Sequence, residues 1–421
     1  MIARALVALL CTLGCAACAQ QDTVATFVGS STDGASEGVG GGDLGDLGPL
    51  PDGVDPQSRL AYCRGKGPPV LVGDGSGATD VCSGKIAQQV FGHGLCACAS
   101  VASNFDVRVD AFDSALGPYD PNAPLPGGAV AINDKLDLTG TTRIGGDLVV
   151  AGAQGVVAGA SLFVGGALLD AGPLGTASSN VVVQGDARVG GNVELATLAV
   201  GGTLTVAPGQ SVKVGGVEPS GLARAAVNVA ARCGCGASQL VDVGGIVAAH
   251  AQSNHNADIA LDAKRLADFK SDTTVDLPCG RFYLSAIQGS GARLTLRISG
   301  RVALFVGGNV TLDRDLDVEL ATPDAELDLF VSGTINAGGD VRLGDEAQPS
   351  RARLYIGGGG SFNVAGNATF VGNIYAPSVD AALSGGIEVY GALFVRRITT
   401  SGPVTIHYDH KVARASRDCI E

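Results

Sequence analysis

From residue 129 onward, apolar and polar positions alternate with a period of two in short runs, as in Arg293-Leu-Thr-Leu-Arg-Ile-Ser and Asp313-Arg-Asp-Leu-Asp-Val-Glu-Leu. Such alternation predicts strands with one buried face. The runs are separated by a recurring corner: Val or Ile, a Gly-Gly pair, one free position, then Val, Leu or Ile. It occurs as Arg143-Ile-Gly-Gly-Asp-Leu, Phe163-Val-Gly-Gly-Ala-Leu, Arg188-Val-Gly-Gly-Asn-Val, Ala199-Val-Gly-Gly-Thr-Leu, Lys213-Val-Gly-Gly-Val-Glu and Phe305-Val-Gly-Gly-Asn-Val, with related copies at Phe330-Val-Ser-Gly-Thr-Ile and Tyr355-Ile-Gly-Gly. Positions 163, 188 and 213 are 25 apart, as are 305, 330 and 355. Short strands at a fixed period of about 20 to 50 residues indicate a solenoid.

A strand of four or five residues cannot bury its apolar face alone, but equal faces stacked coil on coil form a continuous narrow core. Gly-Gly turns the chain at each corner without a side chain striking the next coil. The expected fold is therefore all-β, a right-handed parallel β-helix. A β-sandwich is the rival, but the Asn-Gly and Asp-Gly turns of its hairpins are largely missing. Residues 217–280 interrupt the pattern. Ser238 followed by QLVDVGGIVAAHAQ, and then ADIALDAKRLADFK, predict two short amphipathic helices, the first capped by Ser238.

The chain divides accordingly. Residues 1–18 read as an export signal, with Arg4, an apolar run and small residues beside two cysteines. Cys15 and Cys18 each sit in a lipobox-like setting, so one of the two is expected to carry a lipid that holds the protein on a membrane. Residues 19–58 contain no Lys or Arg but seven acids, and read as a flexible, self-repelling tether. A Cys-rich N-terminal module (59–128), a first solenoid half (129–216), a helical Cys-containing insertion (217–280), a second half (281–408) and a tail (409–421) follow. The Cys-rich region, over 59–110, and the insertion are expected to cap the open ends of the solenoid or to cover its edges.

Composition agrees with this reading and removes others. Glycine holds 64 of 421 positions, about twice its usual share, while 46% of residues are hydrophobic, which is too apolar for a disordered chain. Mean hydropathy is +0.28, yet no apolar stretch after the leader reaches the roughly 18 residues that a membrane helix needs. A net charge of −13 argues against nucleic acid as a partner.

Eight cysteines remain beyond the leader: Cys63, Cys82, Cys96, Cys98, Cys233, Cys235, Cys279 and Cys419. In an exported chain they are disulfide candidates with open connectivity. Cys96-Ala-Cys98 and Cys233-Gly-Cys235 are too close to bridge internally, so each cysteine of these pairs is expected to bond outward. A zinc site built on Cys233, Cys235, His250 and His255 is the weaker reading, since one residue between cysteines is short of finger spacing.

Candidate chemistry is sparse. Asp313, Asp315, Asp317 and Glu319 are expected to project from one strand face, where they are weak candidates for a cation or an acid–base pair. Arg293 and Arg297, about twenty residues earlier, would instead make that face a solvated charge ladder. His407 and Asp409 share a strand face, without an evident third ligand. No nucleophile elbow, phosphate loop or HExxH helix occurs, no cofactor or catalytic residue is indicated, and the scarcity of aromatics leaves little for a sugar-stacking groove.

Several segments carry a resemblance: Leu277-Pro-Cys-Gly-Arg-Phe-Tyr-Leu, Arg301-Val-Ala-Leu-Phe-Val, Glu326-Leu-Asp-Leu-Phe-Val, Gly372-Asn-Ile-Tyr-Ala-Pro, Val389-Tyr-Gly-Ala-Leu-Phe-Val and Ile406-His-Tyr-Asp. Together with Phe91-Gly-His-Gly-Leu-Cys-Ala-Cys and Cys233-Gly-Cys235, the chain resembles an uncharacterised myxobacterial family of exported proteins, many of them lipoproteins. Its carboxy-terminal part is similar to a domain of unknown function in pilus-associated and adhesin-like surface proteins. The resemblance spans most of residues 60–410. It implies a surface β-helix and supplies no catalytic residues.

The expected function is a non-catalytic, lipid-anchored β-solenoid of the bacterial outer membrane or cell surface, structural or adhesive, in contact with extracellular polysaccharide or envelope proteins. Its alternatives are a polysaccharide-active lyase or hydrolase using the 313–319 face, and a self-assembling scaffold resembling bactofilins.

Overall fold

The computed structural model describes residues 63, 68–72, 80–364, 368–383 and 385–415. Cys15, Cys18, Cys419 and the 19–58 tether lie outside them. The described chain is an all-β parallel solenoid of about 13 turns with two short α-helices.

Each coil has three faces. One face is a sheet of twelve strands, one per coil, running from Thr273–Leu277 at one end to Thr197–Val200 at the other. Strand burial alternates as the sequence requires: Ala187–Val189 and Val193–Leu195 each place their middle side chain outside and the flanking two inside. The interior is a single column, mostly Val, Leu, Ile and Ala, with Phe269, Phe282 and Phe370 among them. Each larger side chain of this column, fully buried, contributes about 1.5–3 kcal/mol. The Gly-Gly corners are required by the neighbouring coil: a Cβ on Gly165 would lie 2.5 Å from the Gly145 carbonyl oxygen, and one on Gly190 would collide with that of Ala171.

The order of coils along the axis differs from their order in the chain. The last strand of the second half, Val404–Asp409, pairs in parallel with Val107–Phe112, a strand from the Cys-rich segment, and the first half continues from there. Leu95–Ala97 and Val101–Ser103 likewise stack on Leu393–Thr400. Residues 95–112 thus form a complete coil in the middle of the stack, and this segment does not cap an end. Thr273–Leu277 forms one end of the twelve-stranded sheet, and Phe269 bridges to Gly289 beside it. At the other end Leu198, Leu204 and Leu222 stay only partly buried.

This arrangement makes residues 225–272 a return strap along the outside of the solenoid. From Ala223–Arg224 to Leu95–Ala97 the face steps through six strand pairings. At about 4.8 Å each these span about 29 Å, and the chain from Arg224 to Cys233 reaches only about 30 Å when extended. Residues 225–232 have neither helix nor strand, as a taut connection requires. Cys233 and Cys235 then fasten the strap to Cys96 and Cys98.

Below that clamp the strap forms a helix, α1 (Val243–His250), capped by Asp242, whose side chain accepts from Gly245 N; Ser238 lies outside the helix. The second expected helix is only the 3-10 turn Asn256–Ile259, ended by Ala260 in the left-handed region at φ 50°. Helix α1 packs on a column of outward aromatics. Phe305, Phe330 and Tyr355 are in register on successive coils, with ring centroids 5.3 and 4.5 Å apart, so the 25-residue period in this half is a true coil. The equal spacing of 163, 188 and 213 is not. Phe163 pairs with Arg143 and Val182, and Val182 with Ala199, which gives shorter coils of 20, 19 and 17 residues.

Candidate functional site

The seam between the two halves gathers more chemistry than any segment of the sequence suggests. Tyr390, His407 and Asp110 occupy one register position on three consecutive coils, and Glu388, Thr405 and Arg108 occupy the position two residues earlier. Side chains two apart share a face, so six polar residues from sites almost 300 positions apart form one outward patch. The connection 113–126, between the strand Val107–Phe112 and the next coil, lays Tyr119 over it. The Tyr119 ring lies 3.9 Å from that of His407 and meets Tyr390 edge-on at 6.1 Å.

Asp110 is the anchor. Its Oδ1 is 2.7 Å from His407 Nδ1, and its Oδ2 accepts from Tyr119 Oη and Arg108 Nε, each at 2.8 Å. Burial alone would raise this carboxyl, but the bonds from His407 and Tyr119 and the charges of His407 and Arg108 outweigh it and hold it below the ordinary range. The Tyr119 hydroxyl is pushed up by burial and by Asp110.

His407 is 3% exposed, and its Nε2 points outward to Glu388 Oε1 at 3.2 Å. A neutral imidazole has one N–H and can donate to only one of these two carboxylates, whereas an imidazolium donates to both. Glu388 also accepts from Tyr390 Oη at 3.2 Å. Burial, followed by the charges of Glu388 and Glu346, pushes Tyr390 up to about 12. Above these groups opens a cleft of about 580 Å3, walled by Pro118 and Pro121 on one side and by 345–347 on the other.

Apart from His407, the residues singled out in the sequence are dispersed elsewhere. Asp313 and Asp315 belong to a turn, and only Asp317 and Glu319 project from the strand Leu316–Leu320, so the four do not share one strand face. Asp313 accepts from Gly291 N and Asp315 from Asp340 N. Arg293 pairs with Asp315 at 2.6 Å and lies 3.5 Å from Asp317, and Arg297 lies 4.0 Å from Glu319. This is a charge ladder between coils. Among the described residues, no group of three or more His, Cys, Asp or Glu is placed to hold a metal ion.

The bridges are Cys63–Cys279, Cys96–Cys233 and Cys98–Cys235, and Cys82 is also disulfide-bonded. No thiolate of Cys233 or Cys235 is therefore left for zinc. His250 is buried against Phe305, accepting from Leu71 N and donating to Ser253 O. Asp409 does not join His407 in a site, since its Oδ1 accepts from Ser114 N and Lys411 N. Of the seam residues, the sequence pointed only to His407. Arg108, Asp110, Tyr119, Glu388 and Tyr390 had no local signal.

Comparison with known proteins adds one finding. Residues 237–415 match a family described as a domain of unknown function, DUF7305. On the structure this region runs from the lower strap through every coil of the second half and ends at the seam. His407, Glu388 and Tyr390 lie inside it, and Arg108, Asp110 and Tyr119 outside. No curated protein and no solved structure matches the chain.

Proposed function

We propose that the protein is an exported, non-catalytic β-solenoid held on the bacterial envelope by a lipid on Cys15 or Cys18, where it has a structural or adhesive role in contact with polysaccharide or envelope proteins. The observation that carries this reading is the double clamp, in which Cys96–Cys233 and Cys98–Cys235 tie a taut strap to a coil 137 residues away. Disulfides that hold the topology together suit an oxidising compartment, and a stack of coils strapped along its outside by disulfides suits a protein that presents a surface. On the 313–319 face the acids an enzyme would use are engaged by Arg293, Arg297 and backbone amides, which favours the ladder over acid–base chemistry.

Metabolic labelling with a palmitate analogue tests the anchor. The wild-type chain is expected to incorporate label, and Cys15→Ala or Cys18→Ala to abolish it. Absence of label in the wild type refutes the lipoprotein reading, and a labelled protein retained inside protease-treated intact cells refutes surface display.

A further inference from the structure

The seam cleft has the features of a ligand site. Its volume of about 580 Å3 is that of a small-molecule pocket. Its floor is preorganised, because His407 is fixed by Asp110 from below and Tyr119 is fixed by both its ring contact and its hydroxyl bond. Donors and acceptors converge there: the Glu388 carboxylate, held in place by His407 Nε2, and the Tyr390 and Thr405 hydroxyls. Such a mixture suits a polyhydroxylated ring, while the Tyr390 and Tyr119 rings and two prolines offer apolar surface to its C–H face.

A peptide is less well served. The usual extended mode needs a free strand edge, and the strands at the seam are paired on both sides. The rim selects charge. Arg108 is taken up by Asp110, but among the described residues Asp345 and Glu346 have no cationic partner, so the cleft has excess negative charge.

From these observations we infer that the seam cleft binds a sugar unit bearing a free ammonium group, with the ring against the tyrosines and the ammonium toward Glu346 and Asp345. The inference deepens the adhesive reading and rests on it for its setting, but binding by the purified full chain is independent of the lipid anchor.

The test is calorimetric titration of the full chain with glucosamine oligomers, N-acetylglucosamine oligomers, galacturonate oligomers and a lysine-rich peptide. The free-amine oligomers are expected to bind at least about fivefold more tightly than the acetylated ones. Glu346→Gln, an exposed change that leaves the fold intact, is expected to remove most of that preference without weakening the acetylated ligand. Tyr390→Ala is expected to weaken both sugars about tenfold, as loss of a ring contact should, with an unchanged circular dichroism spectrum. Equal binding of free and acetylated oligomers, binding of uronate oligomers, tighter binding of the peptide, or no sugar binding would each overturn the assignment. If labelling fails while sugar binds, the anchor alone is wrong.

Discussion

Two buried titratable groups make opposite contributions to stability, and separating them is a sensitive test of the packing described. Asp170 points into the apolar column with no exposure. Its Oδ1 accepts from Gly172 N, while its Oδ2 has no partner among the described residues. Burial pushes its carboxyl up to about 7, against the opposing pull of its backbone bonds. The unfolded chain releases this proton near the ordinary carboxylate value and the folded chain holds it, so stability falls as pH rises from about 4 to about 7, by about 4 kcal/mol.

His250 acts in the other direction. Burial lowers it to about 4, and Leu71 N already donates to its Nε2, leaving no room for a second proton. The unfolded chain takes up a proton below about 6.5 and the folded chain does not, so stability falls as pH drops to about 4, by about 3 kcal/mol. Across the shared window the two nearly cancel. Asp170→Asn, which keeps the bond from Gly172, should unmask the histidine and give urea-unfolding free energies that rise between pH 4 and 6.5 by about 3 kcal/mol more than those of the wild type. His250→Phe should unmask the aspartate and give the reverse slope. If Asp170→Asn has the same pH profile as the wild type, the carboxyl is not held protonated in the core.

Other consequences are equally direct. Closing a loop of 137 residues is worth about 5 kcal/mol on chain-entropy grounds, but the two bridges of the clamp close nearly the same loop. Losing either one should therefore cost little and losing both about 5 kcal/mol, as read by urea unfolding; two equal, additive losses would contradict the shared clamp. Deleting two residues from 225–232 should prevent Ala223–Arg224 from pairing while the disulfides form, whereas a two-residue insertion should be silent, and hydrogen exchange at 204–206 reports the difference. Gly391 sits at φ +131°, and a Cβ there would collide with the Gly372 carbonyl oxygen, so Gly391→Ala should cost about 2 kcal/mol or more in thermal or urea unfolding; a neutral result would show that the seam corner is loose.

The chain itself determined the fold class. Period-two alternation over short runs leaves a parallel stack as the way to bury those faces, and glycine at corners such as Gly165 and Gly190 follows from coils one strand spacing apart. The aromatic period 305, 330, 355 was legible for the same reason, because each residue repeats with its own coil. What the sequence could not show was which coil abuts which. The pairing of 404–409 with 107–112 depends on matching two coil ends almost 300 residues apart, and local patterns contain no information about that match. The strap, the cross-cluster disulfides and the assembly of Asp110, Tyr119, Glu388, Tyr390 and His407 all follow from this one long-range contact. A periodic pattern specifies what each coil buries, and only the closed three-dimensional stack determines which side chains meet on its surface.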